Sequence, residues 1–160
     1  MESDTDGAGI KIVLKNKKKR TLLSDLGYGI TQILNIMLKT ALIGIKGNFL
    51  EFSYPKFITP KILYLEEPEC NLHPNLQSKL SDFFIQASKV FNIQFIIETH
   101  SEYLVRKLQY LTAKEKIKPE DTAIYYFSAS TKKNDDQGLV KRIHIYSDGS
   151  LSDNFGKRVL

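Results

Sequence analysis

Apolar positions recur along this chain with two different periods, and the switches between them mark its elements. Ile10, Ile12 and Leu14 alternate with polar neighbours, which predicts a short strand over 9–14. Thr21 to Leu23 is expected to pair with it across a basic turn, and residues 1–8 are expected to fray. From Gly29 to about Ile43 the period lengthens, with Ile33, Leu34, Met37, Leu38, Ala41 and Leu42 at helical spacing. Ile30 and Ile36 widen that stripe, so the helix is expected to be largely buried, and Gly44 and Gly47 to end it. Pro55 and Pro60 predict an irregular connector over 48–60. Lys61 to Leu65 then reads as a buried strand. Leu76, Leu80, Phe83, Phe84, Ala87 and Val90 mark an amphipathic helix from about Pro74 to Phe91, closed by Asn92. Ile93 to Ile97 is a second buried strand. Leu104, Val105, Leu108 and Leu111 line a third helix, with Ser101 as its cap. Thr122 to Phe127 and Leu139 to Tyr146 read as a closing antiparallel pair joined by the polar loop 128–138.

A strand, a helix, a strand and a helix with such short connections imply a parallel pair with a crossover helix. The expected fold class is therefore α/β, with a small antiparallel pair at the end. Three regions follow: 1–23 with the N-terminal strands, 24–117 with the parallel core, and 118–160 with the closing pair.

Composition narrows this picture. A chain of 160 residues can bury a proper core, and 42% hydrophobic with 26% charged content fits a soluble globular protein. Its uninterrupted apolar runs are too short to span a bilayer, so no membrane association is expected. The acidic start, Met1 to Gly7, does not resemble a secretory signal. A single cysteine, Cys70, excludes an internal disulfide and makes a cytoplasmic location the default. The net charge of +5 permits nucleic-acid contact without requiring it. Much of the excess lies in Lys15–Asn16–Lys17–Lys18–Lys19–Arg20. A solvated hairpin tip is the favoured reading, and a phosphate-contacting patch the alternative; no aromatic residue interleaves to form a base-stacking platform.

The candidate chemistry stands at the strand ends. Ile62–Leu63–Tyr64–Leu65 runs directly into Glu66–Glu67–Pro68–Glu69, with Leu72–His73–Pro74 close behind. The carboxyl edge of a sheet is where α/β proteins bind ligands. Adjacent acids there are costly unless something uses them, such as a metal ion and a water to be activated. The second run, Ile93 to Ile97, ends in Glu98–Thr99–His100–Ser101, which puts a second polar cluster on the same edge. The plainer alternatives are exposed acids before a proline and a satisfied structural histidine. A zinc site from Cys70, His73 and His100 is poorly supported by one Cys-x-x-His step.

These residues carry a resemblance. Leu65–Glu66–Glu67–Pro68–Glu69 through Leu72–His73–Pro74 resembles the Walker B strand and D-loop of ABC-type ATPases of the SMC, RecF and OLD group, within the P-loop NTPase superfamily. Glu98–Thr99–His100–Ser101 is similar to their switch-histidine loop. Leu23–Ser24–Asp25–Leu26–Gly27–Tyr28–Gly29–Ile30–Thr31–Gln32–Ile33–Leu34 resembles a degenerate form of their signature motif, and 122–156 a C-terminal region of unknown function attached to some of them. The resemblance implies ATP and Mg²⁺ as cofactors. Glu66 would hold Mg²⁺ through its hydration shell, standing where many such ATPases have Asp. Glu67 would polarise the attacking water, and His100 would contact the γ-phosphate. Gly27, Gly29, Thr31 and Gln32, with Asn71 and His73 of the D-loop, would act across a dimer on nucleotide held by the other protomer, with Gln77 as a further part of that surface. The glycines also fit a tight turn into a helix, and Asn71–Pro74 a helix-entry loop.

One motif is missing. The phosphate cradle G-x-x-x-x-G-K-[ST] does not occur: Gly156–Lys157 is followed by Arg158, and Leu151 stands at the first glycine position. The expectation is thus the C-terminal half of an ATPase, as a truncated gene, a split subunit or an excised piece. Its partner would be the missing N-terminal half or a homologous protomer, with DNA as a further possible ligand. The alternative is a catalytically idle interaction or regulatory fragment.

Overall fold

The computed structural model describes residues 3–4, 11–16, 19–22, 27–53, 61–127 and 140–155, with side chains described over 27–45, 61–127 and 140–155. The chain divides into two compact units, Met1–Ser101 and Glu102–Leu160. The fold is α/β: a two-stranded parallel sheet, flanking helices and an antiparallel β pair.

In the first unit, β1 (Ser3–Asp4), β2 (Lys11–Asn16) and β3 (Lys19–Leu22) form an antiparallel sheet. The β2–β3 hairpin pairs Asn16 with Lys19 and Lys15 with Arg20, so these residues of the basic run face one another across the hairpin; Lys17 and Lys18 lie outside the described residues. The expectation of a frayed start is corrected in one place, since Ser3–Asp4 pairs with Lys11–Ile12.

The long helix α1 (Tyr28–Ser53) runs through both glycines expected to stop it and takes in the start of the supposed connector, whose Pro55 and Pro60 lie outside the described residues. Gly44 is a close-approach residue, not a terminator. A Cβ there would stand 2.4 Å from Phe91 Cδ1, so only glycine lets the helices meet at this crossing. The expected burial is also corrected. Ile36, Thr40 and Gly44 face inward at four-residue spacing, and the Thr40 hydroxyl donates back to the Ile36 carbonyl at 2.8 Å. Met37, Leu38, Leu42 and Ile45 remain 46–64% exposed. By length and composition the Tyr28–Ile45 segment could cross a membrane, contrary to the reading of short apolar runs; core helices of soluble proteins pass the same test.

Strand β4 (Lys61–Glu66) and β5 (Ile93–Glu98) pair in parallel, with Lys61 opposite Ile93 and Glu66 opposite Glu98. Helix α2 (Pro74–Phe91) makes the crossover. Its Leu80, Phe84 and Ala87 meet the inward face of the strands, and the Phe84 and Phe95 rings lie 5.1 Å apart. The helix starts with Pro74 in its first turn, where a proline's missing N–H costs nothing. It ends at Asn92 in a left-handed conformation, φ 53°. Buried Lys61 donates its ammonium to the Phe91 carbonyl at 3.1 Å, a cation placed at the negative end of a helix. Leu63 and Leu65 are buried on the inward face of β4, the strand that α1 packs against, while α2 packs against β5. On the other face Ile62, Tyr64 and Ile96 are 50%, 58% and 47% exposed, so one side of the sheet is bare.

In the second unit, α3 (Glu102–Ala113) precedes β6 (Ile124–Phe127), which pairs antiparallel with β7 (Val140–Ile143). The expected pair is therefore present but shorter, and the loop predicted over 128–138 lies outside the described residues. Its core gathers Leu104, Leu111, Ile117, Ile143 and Ile145. Gly149, at φ 84°, lies against the Gln109 carbonyl, while the Gln109 amide donates to the Gly149 carbonyl at 2.8 Å.

Candidate functional site

The edge of the parallel sheet places two turns side by side. After Glu66 the chain turns sharply at Glu67, whose φ of 39° is left-handed and unfavourable for a residue with a Cβ. Hydrogen bonds over-determine this turn. The Glu67 N–H donates to the Glu98 carbonyl at 2.9 Å, extending the ladder by one step. The Glu67 carbonyl accepts from Cys70 N–H at 3.0 Å and from the Gln32 side-chain amide at 3.1 Å. The same Gln32 amide reaches the Pro68 carbonyl at 3.3 Å. Pro68 is fully buried, which pins the turn from below. Glu67 is thereby turned off the face that carries Glu66 and brought to the loop after β5. Its Oε1 lies 3.4 Å from His100 Nε2. Both side chains are substantially exposed, so the pair adds little to stability; what matters is where the groups converge.

Glu66 stands on the bare face, in register with Glu98. The Tyr64 hydroxyl donates to Glu98 Oε2 at 2.9 Å, and this bond holds the phenol above its ordinary titration range. Two exposed carboxylates on one face are hard oxygen donors. They fit Mg²⁺, which keeps most of its waters and takes few protein ligands. Among the described residues no three His, Cys, Asp or Glu side chains group to enclose a metal, and Cys70, His73 and His100 do not come together.

The loop leading to α2 meets the start of α1. Gly27 is left-handed at φ 84°. Gly29 sits where a Cβ would stand 2.6 Å from the Asn71 carbonyl and 2.8 Å from Leu72 Cδ2. An open cleft of about 300 Å³ results, lined among others by Gly27, Gly29, Asn71 and His73. Four of the six residues assigned to the signature and D-loop thus share one cleft. Thr31 does not line it, and Gln32 reaches instead to the Glu67–Pro68 turn. His73 caps α2, its Nδ1 accepting from Asn75 N–H at 3.3 Å. Ser24 to Leu26 lie outside the described residues. Gln77 donates to the Leu72 carbonyl at 2.9 Å and accepts from the Ser101 hydroxyl at 2.6 Å, tying the loop after β4 to the one after β5.

One residue received no role from the sequence. Glu69 is 7% exposed, and its Oε1 accepts from the Thr99 hydroxyl at 2.6 Å and the His100 N–H at 2.8 Å. The available signal was the loop Thr99–His100–Ser101, whose backbone donors leave the ladder at a strand end and require acceptors.

The acids and the histidine converge at the carboxyl edge of the parallel strands, where α/β proteins bind ligands. A family model described as AAA ATPase domain matches residues 3–105, and the chain belongs to that family of P-loop ATPases. The match runs from β1 to the first residues of α3. Members of this family generally bind ATP with Mg²⁺. No match is found among curated proteins or among solved structures.

Proposed function

We propose that this chain is the C-terminal catalytic half of an ABC-type ATPase of the SMC, RecF and OLD kind, acting in the cytoplasm. The observation that carries this reading is the convergence of Glu67 and His100, 3.4 Å apart, at the ends of two paired parallel strands. Glu67 orients and polarises the water that attacks the γ-phosphate. His100, on the adjacent strand end, hydrogen-bonds a γ-phosphate oxygen and so couples its presence to the Glu67 turn. Glu66 would hold Mg²⁺, which when bound would supply positive charge against that developing on the phosphates. The cleft of Gly27, Gly29, Asn71 and His73 is the surface offered to nucleotide held by a second protomer, where a glycine-led helix start favours an anion.

The sequence holds no G-x-x-x-x-G-K-[ST] segment, so the phosphate cradle comes from another polypeptide or another part of the protein. A role in DNA maintenance or in defence against foreign DNA is supported by the net charge of +5 and by the basic run of the β2–β3 hairpin. The competing reading, an idle fragment, rests on the same missing cradle.

One experiment separates them. The chain is combined with a polypeptide that carries a P-loop and completes the sheet, and ATP hydrolysis is followed for wild type and Glu67→Gln. The wild-type pair hydrolyses ATP while the chain alone does not. The glutamine variant keeps ATP binding but loses at least about a hundredfold in turnover, the usual contribution of a positioned base. Wild-type turnover in that variant would remove Glu67 from the mechanism, and an inert wild-type pair would favour the idle fragment.

A further inference from the structure

We propose that Glu69 is a positioning residue, whose buried carboxylate clamps the Thr99–His100 backbone and thereby sets the His100 ring opposite Glu67. The role of that ring in ATP hydrolysis rests on the function proposed above; the clamp itself does not.

A carboxylate taken out of water is costly unless donors compensate it. Glu69 is 7% exposed, and every bond described for its carboxylate goes to the loop after β5. Oε1 receives the Thr99 hydroxyl at 2.6 Å and the His100 N–H at 2.8 Å. Thr99 Oγ1 in turn accepts from Ser101 N–H at 3.0 Å, so the clamp fixes three consecutive residues. Oε2 is buried without a partner among the described residues, so the acid is not there to complete a closed structural network. A neutral or apolar residue would fill the same space at less cost.

The need for a clamp follows from where His100 sits. Its side chain is 81% exposed, so no wall of packed atoms orients the ring. Its orientation is inherited from its own backbone. That backbone has just left the β4–β5 ladder, whose last register pair is Glu66 with Glu98. The Glu67 turn is held separately, by Glu98 and Gln32. Glu69 lies two residues beyond Glu67 on the same turn and reaches the loop that carries His100. It therefore fixes the distance between the two functional groups.

The test has two arms. In the first, hydrogen exchange is read residue by residue in the 160-residue chain, with the Ile96 and Ile97 amides as internal references. Glu69→Ala is expected to speed exchange at His100 by roughly ten- to a hundredfold relative to the references, the range for losing a charge-assisted bond. Should the alanine variant fail to fold, Glu69→Gln carries this arm: its neutral oxygen accepts more weakly, and exchange at His100 alone rises by a smaller factor. Unchanged exchange at His100 in a folded variant would overturn the clamp. The second arm uses the ATP-hydrolysing pair. Glu69→Ala is expected to lower kcat with little change in KM for ATP, Glu69→Gln to recover part of the loss, and Glu69→Ala to add nothing once His100→Ala is present. Fully additive losses would make Glu69 a general structural residue and overturn its positioning role. If wild type hydrolyses no ATP, the proposed function fails while the exchange arm still decides the clamp.

Discussion

Tyr64 and Glu98 show how one neighbour changes a residue's chemistry on the bare side of the sheet. The phenol donates to Glu98 Oε2 at 2.9 Å, and deprotonating it would remove that bond and set two negative charges together. The Tyr64 hydroxyl is therefore held above its ordinary pKa of 10.0, first by this bond, then by partial loss of hydration and by the charges of Glu98 and Glu66. For a group raised in the folded state, the linked stability is fully present below the unfolded value. It is lost as pH rises through the folded one. The window therefore lies above pH 10. A difference titration by tyrosinate absorbance, wild type minus Tyr64→Phe, should show this residue ionising later than a free tyrosine. Glu98→Gln should bring its titration back down. A titration unmoved by Glu98→Gln would mean that the bond does not persist in solution. Single residues were unevenly legible. Glu66, Glu67 and His100 stand out in the sequence because apolar runs end on them. The clamp by Glu69 and the contact of Gln32 with the Glu67 turn do not, because the partners lie 30 or more positions away and only the paired strands bring them close.

The elements were legible where period and terminators agree. Helix α2 carries a clear apolar stripe, a proline in its first turn and Asn92 at its end, and its boundaries follow. Helix α1 was misread because glycine has two uses that look alike in sequence: it can end a helix, or it can let another element approach. Gly44 serves the second, against Phe91. That assignment is testable. Alanine is favoured over glycine inside a helix by about 1 kcal/mol. At position 44 its Cβ would meet Phe91 Cδ1 at 2.4 Å and Cγ at 2.6 Å. Gly44→Ala should therefore destabilise the protein by roughly 1–2 kcal/mol, overpacking outweighing propensity. Gly29→Ala should cost roughly 1–3 kcal/mol, because the atom in the way is the backbone carbonyl of Asn71 at 2.6 Å. Urea denaturation measures both. A stabilised Gly44→Ala variant would mean that the α1–α2 crossing opens readily and that the glycine is incidental.

At the scale of the whole molecule, the described residues of the first unit show two exposed apolar faces. Met37, Leu38, Leu42 and Ile45 line one side of α1, each 46–64% exposed. Ile62, Tyr64 and Ile96 lie on the exposed face of a sheet that has two strands among the described residues. Scattered apolar residues on a surface are normal, but a contiguous helix face and a sheet face mark surfaces that bind something. Among the described residues no further strand pairs with either outer edge, which leaves a template for further pairing. In the proposed ATPase, the polypeptide that brings the P-loop would supply the next strand and a helix to cover the sheet, and a second protomer would cover the α1 entry and the loop after β4. The isolated chain is therefore expected to self-associate or to be marginally stable. Light scattering should give a mass that rises with concentration above that of one chain. Adding the P-loop polypeptide with ATP and Mg²⁺ should convert this mixture into a defined dimer of the pair, and removing ATP should dissolve the dimer again. A monodisperse, cooperatively melting monomer would show that these faces need no partner, and the half-domain reading would fall with them.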